Sequence, residues 1–143
     1  MITAEQDFQG KPHDAEQDIL ADDLLARVNA LLEQAGAAGV VSPVCPNTGT
    51  QISGSKGGTG DGGFRLQTST TGSLHSSHKT AQGVDVFDPE GAIDDWLDDF
   101  EVGVGDNVKL AEHGLYREAP SATTGWTHLT TRPPPSKRRT FFP

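Results

Sequence analysis

Apolar residues recur at helical spacing in one stretch of the chain, at Ile19, Leu20, Leu24, Leu25, Val28, Leu31 and Leu32. That period predicts an amphipathic helix from Asp18 to Ala35, stopped by Gly36 and Gly39. Residues 1–18 are polar and aperiodic, and read as an arm with little structure of its own ahead of a single domain over 19–143. Val40 to Val44 is a short apolar run ended by Pro46, a strand or an extended entry. Gly63 to Gln67 alternates as a strand does, and Val84 to Phe87 is a second strand rich in β-branched residues. Asp88 and Pro89 suit the N-cap and first turn of a helix whose buried stripe is Ile93, Trp96, Leu97 and Phe100. A further helix is expected within Asp106 to His113, ended by Gly114. Gly125 to Leu129 is a third strand, with Trp126 and His128 on one face. The tail Arg132-Pro133-Pro134-Pro135 cannot continue a central strand. Asn47 to Gly63, rich in Gly, Ser and Thr, reads as a long surface loop. The class is α+β: a small antiparallel sheet with flanking helices.

Composition narrows the function classes. The chain has 143 residues, 34% of them hydrophobic and 17 of them glycine, so the core is small and loops are a large share of the fold. A formal net charge of −9 argues against a nucleic-acid partner, since phosphate neutralisation needs clustered cations. The one basic cluster, Lys137-Arg138-Arg139, is short. No apolar run is long enough for a membrane span, and Met1 to Asp7 lacks the basic-then-apolar pattern of a secretory signal. A single cysteine, Cys45, leaves no intrachain disulfide and reads as a packed small hydrophobe. The acidic run Asp94-Asp95, Asp98-Asp99 lacks the loop spacing of a calcium-binding hand and reads as a solvated helix face. His13 lies in the polar arm with no evident partner.

His78 and Asp85 flank the entry to one strand, and His128 lies on another. Two imidazoles and one carboxylate suit a single zinc ion with a fourth position left open. Spacing alone leaves the alternative of ordinary polar loop residues.

The segment Ser76-Ser77-His78-Lys79-Thr80-Ala81-Gln82-Gly83-Val84-Asp85-Val86 resembles the SxHxxGxAxD signature of zinc D-alanyl-D-alanine carboxypeptidases and the related L-alanyl-D-glutamate endopeptidases. Gly125-Trp126-Thr127-His128-Leu129 resembles that family's Trp-x-His strand, and Gly63-Phe64-Arg65 its upstream Gly-Tyr-Arg element. The blocks stand in the family's order across residues 63–129. The resemblance implies a Hedgehog-like α+β fold, one zinc ion on His78, Asp85 and His128, and a peptidoglycan stem peptide as substrate. It departs at two places. The small residues are exchanged at Ala81 and Gly83, and the family's basic Glu, three residues before the second His, is Gly125 here.

Peptide hydrolysis needs a base and a positive clamp beside the metal. Glu118 is the candidate base, brought back to the metal by a loop; His113 and His75 are lesser candidates. Arg65 is the expected substrate clamp, its fork suited to a carboxylate. Ser76 is expected to contact substrate or orient a ligand, Trp126 to wall the cleft or pack in the core, and Tyr116 to pack. Two functions stay open: a zinc metallopeptidase of the cell wall, or a non-catalytic zinc-binding module that binds wall or serves as a structural component. The Gly-rich loops and absent signal pattern would suit a bacteriophage-encoded chain. Such a chain is either made in the host cytoplasm to act at the wall or carried in the virion beside other phage structural proteins.

Overall fold

A computed structural model describes residues 1–55, 62–69, 71 and 75–143. The expected Asn47–Gly63 loop therefore falls partly outside the described residues. The long periodic stretch is helix α2, Ala15–Ala37, which begins earlier than its apolar stripe because Asp14 and Gln17 form a reciprocal capping box. Leu24, Leu25, Val28 and Leu31 are buried along it, whereas Ile19 faces solvent.

The first 18 residues are folded, which corrects the reading of an unstructured arm. Thr3 and Gln6 cap a short helix α1, Ala4–Phe8. Ile2 and Phe8 are buried, and Asn29 of α2 bonds both backbone groups of Ile2. His13, expected to stand alone, stacks on Phe8 at 3.6 Å between ring centres and pairs with Asp18 at 2.9 Å.

The sheet is built from β1 (Gly83–Phe87), β4 (Tyr116–Glu118), β5 (Trp126–Thr130) and β6 (Thr140–Phe141), in the order β1-β5-β4-β6. It is mixed, not antiparallel throughout: β6 runs parallel to β4, with Arg117 opposite Thr140 and Glu118 opposite Phe141. Both edges of β5 are taken, by β1 and β4, so the chain leaving it passes to the outer edge of β4, where residues 139–141 accept the Arg117 and Ala119 amides, each at 2.7 Å. A separate hairpin, β2 (Glu101–Gly103) and β3 (Asp106–Asn107), follows helix α3, Ala92–Asp98, and leads into helix α4, Val108–Glu112. Asp88 does not stand next to α3. Gly91 is the N-cap residue, and the Asp88 carboxylate reaches forward to accept the Ile93 and Asp94 amides.

Gly63 to Gln67 forms no strand. Its backbone is used for close contacts instead: Phe64 N–H donates to Asp7 O at 3.0 Å and Arg65 N–H to His78 O at 3.1 Å. A side chain at Gly62 would lie 1.9 Å from Ser53 O, and one at Gly63 2.7 Å from Asp7 O. The apparent strand is thus a glycine-enabled crossing.

One face of the sheet carries Val84, Val86 and Leu129 into the main core with Leu24, Val28, Leu31, Ile93 and Leu97. The opposite face carries Asp85 of β1, its partner His128 of β5, and Glu118 of β4. Cys45 is buried, as its flanking residues suggest. Asp94 is buried too, against the expectation of a solvated acidic face, because it meets Arg117 of β4. Among the described residues, no helix is long and apolar enough to cross a membrane.

Candidate metal centre

Alternation along the antiparallel β1–β5 pair sets Asp85 directly opposite His128, so both side chains leave the same face of the sheet. His78 arrives from a 3₁₀ turn, Ser77–Thr80, that Ser76 opens by accepting the His78 amide at 3.3 Å. The turn closes at Ala81, whose φ of 61° lies in the left-handed region that favours glycine, where the resembling signature has its Gly. Gly83 then leaves room for the centre. A side chain there would sit 2.2 Å from Ser77 Oγ and 3.0 Å from His128 Cε1.

The result is a buried cluster in which His78, Asp85 and His128 each offer one ligand atom, all within 4.8 Å of one another. His78 Nε2 lies 3.3 Å and His128 Nδ1 2.8 Å from the same Asp85 oxygen, Oδ1. Ligands of a tetrahedral ion bound at about 2.0–2.1 Å stand roughly 3.3 Å apart, which the His78–Asp85 pair matches, while His128 and Asp85 stand at hydrogen-bond distance. The outer nitrogens are also held. His78 Nδ1 is 2.9 Å from Gly63 O, a carbonyl that only accepts, so Nδ1 carries a proton and Nε2 is the nitrogen that faces inward, toward Asp85. His128 Nε2 lies 3.3 Å from Ser77 Oγ. Burial by itself would push the Asp85 carboxyl up. The facing imidazoles of His78 and His128 outweigh burial and hold it well below the usual carboxylate range. A deprotonated acid and two oriented imidazoles are what a divalent metal requires. The three residues could therefore hold a metal ion.

The centre lies in an open cleft of about 730 Å³. Arg65, Ser76, Glu118 and Trp126 all line it, as do His75 and Arg132. Arg65 Nη2 stands 3.8 Å from Asp85 Oδ2, so the guanidinium lies against the far side of the Asp85 carboxylate. Glu118 reaches the cleft by a different route from the one expected. It is on strand β4, not on a returning loop. Arg117 pairs with Leu129, and the same register places Glu118 beside His128. Neighbours of that kind have Cβ atoms about 4.5–5.5 Å apart. Asp85, His128 and Glu118 thus form one row across three strands.

His113 does not line the cleft. It caps α4, and burial pushes its imidazole below the ordinary range. Tyr116 packs under the Arg139 guanidinium, which stands 4.3 Å from its ring centre.

Two supporting groups escaped the sequence reading. Ser77, not only Ser76, touches the centre, and adjacency to His78 was the available signal. Arg132 ties Thr80 and the His75 carbonyl to the end of β5, and nothing in its sequence context signals that contact.

No family model matches the chain, and neither does any curated protein or solved structure.

Proposed function

We propose that the chain is a zinc-dependent peptidase of peptidoglycan stem peptides, belonging with the D-alanyl-D-alanine carboxypeptidases and L-alanyl-D-glutamate endopeptidases it resembles. The observation that carries this reading is the convergence of His78 Nε2, Asp85 Oδ1 and His128 Nδ1 in an open cleft. A donor set of two imidazoles and one carboxylate favours zinc over the harder, oxygen-seeking cations. When bound, zinc supplies the Lewis acidity that polarises a carbonyl and brings the pKa of a water to about 7.

The chain's own groups supply the rest. Glu118, beside His128, takes a proton from the attacking water and returns it to the leaving amine. Arg65 at the mouth of the centre receives a substrate carboxylate, of which stem peptides carry several. Ser76 and Trp126 border the substrate path. Gly125 does not supply the base. Gly125 has a φ of 98°, a conformation that L side chains rarely adopt, so this backbone is not built to display a Glu there.

Glu118→Gln is expected to lower turnover of purified muropeptides by about 10²–10⁴-fold while zinc uptake stays at one equivalent. Stoichiometry by atomic absorption and product release by mass spectrometry check both halves. An undiminished rate in the variant would remove Glu118 from the mechanism.

The same Gly125 favours a second reading, a non-catalytic zinc module that binds cell wall or serves as a component of a phage virion. It predicts one zinc, muropeptide binding and no turnover with any stem peptide. A phage-encoded enzyme would be made in the host cytoplasm and act at the wall. A virion component would be found in purified particles.

A further inference from the structure

The N-terminal helix contributes more than packing. Asp7 on α1 is wholly buried, and neither of its carboxylate oxygens has a hydrogen-bond partner among the described residues. Most buried polar groups are satisfied, so an orphan of this kind calls for a cause. Next to Asp7 in sequence, Phe8 joins Ala21, Phe64 and Ala81 in a small core of their own. Lys11 is the charged group that acts on Asp7, and its ammonium is already engaged, donating to Phe64 O at 2.6 Å. His13 lies nearby, stacked on Phe8 and paired with Asp18.

What Asp7 packs against matters more. Its backbone carbonyl accepts the Phe64 amide, and a side chain at Gly63 would lie 3.2 Å from Asp7 Oδ1. Gly63 O is the acceptor that orients His78. Gly62 O accepts the Asp85 amide at 2.7 Å, and Arg65 follows in the same segment. Residues 62–65 are therefore a bridge, with α1 on one side and the metal ligands on the other. Whatever loosens α1 loosens the acceptor that fixes the His78 tautomer.

We propose that Asp7 is a pH-sensitive latch: protonated, it lets α1 seat against residues 62–65; ionised, it releases that contact and slackens the seat of His78. Burial pushes the Asp7 carboxyl up to about 7, against the smaller downward pulls of the nearby Phe64 amide, whose hydrogen bond goes to the Asp7 backbone carbonyl, and of Lys11. A carboxyl raised in the docked state and ordinary in the undocked one favours docking below the ordinary value. That advantage is lost as pH rises through about 7. The latch closes in mild acid and opens in mild base. It holds whether or not the cleft is catalytic.

Hydrogen exchange at single amides of the full chain tests this. After correction for intrinsic exchange, protection of the Phe64 amide is expected to fall on the order of 100-fold between about pH 5 and about pH 8.5. The Asp85 amide should follow it. Asp7→Asn, neutral at every pH, should give a flat profile, and Asp7→Leu should do the same with no polar atom to bury. An identical pH-dependent profile in wild type and both variants would overturn the proposal. So would constant protection in the wild type. A carboxyl carbon titration of Asp7 by NMR needs no variant, and a midpoint near the ordinary aspartate range of about 4 overturns the latch directly.

Discussion

His128→Ala is expected to lower zinc affinity by more than about 100-fold and to bring muropeptide hydrolysis to background. Loss of a group that only supports a ligand costs about 10–100-fold in affinity, and His128 is one of the three proposed ligands themselves. The side chain also has a second duty, since its Nδ1 lies 2.8 Å from Asp85 Oδ1. Without it the buried carboxylate keeps His78 and the more distant Arg65 as its compensating groups. The zinc-free variant should therefore lose on the order of 1–3 kcal/mol of stability but remain folded, because the core face of β5 is untouched. Zinc should raise the melting temperature of the wild type. At a hundred times the dissociation constant it adds about 2.7 kcal/mol, and EDTA should reverse the gain. The variant should show neither response. Competition against a chromophoric chelator gives the affinity, and scanning calorimetry with and without zinc gives the stability. Equal zinc affinity in wild type and variant would remove His128 from the centre, and with it the proposed function.

That centre was legible in the sequence to an uneven degree. His78, Asp85 and His128 could be picked out because the blocks they stand in resemble a known family's signature; spacing, strand alternation and ligand chemistry alone left ordinary polar loop residues as the alternative. Glu118 was picked for its residue type and assigned to a loop. Its place beside His128 follows from the β4–β5 register, which pairs Arg117 with Leu129 and which no local pattern encodes. The same gap explains β6. Thr140-Phe141 is too short to read as a strand until β4 is there to pair with it. The α1 docking was missed for another reason. Ile2 and Phe8 are two sparse apolar residues in a polar stretch, and burial of so few gives no period to detect. Gly63-Phe64-Arg65-Leu66 failed in the opposite direction. The alternation is real, but Gly62 and Gly63 serve close backbone crossings that a paired strand would not permit. Asp94 is the plainest case of a local reading overruled. Its helix face looks solvated until Arg117 arrives from β4.

Arg117→Met is expected to cost roughly 3–5 kcal/mol of stability, a fall in melting temperature on the order of 10 °C for a chain of this size. The guanidinium is fully buried and serves the carboxylates of Asp94, Asp98 and Glu101, together with Thr140 Oγ1 at 3.1 Å. Methionine replaces much of its volume and none of its charge, so Asp94 would be left buried without a cation. Burial already pushes the Asp94 carboxyl up to about 6, against the opposing pull of Arg117. A carboxyl raised in the folded state stabilises the fold below its ordinary value, and that contribution is lost as pH rises through the folded one. Removing Arg117 raises Asp94 further. The penalty should therefore be small near pH 5 and grow toward pH 8, as seen in urea melts across that range. Asp94→Asn in the Arg117→Met background should flatten the dependence and recover part of the loss, whereas independent sites would simply add. The consequence reaches the cleft. Arg117 ties β4 to α3 on the core side of the sheet, and Glu118, the next residue, projects toward the metal ligands on the other. Loosening β4 should thus lower turnover through Glu118 while the proposed zinc ligands on β1, β5 and the 3₁₀ turn keep their affinity. A variant that loses stability with no pH dependence would mean that packing of the Arg117 stem, not its charge, holds β4 in place.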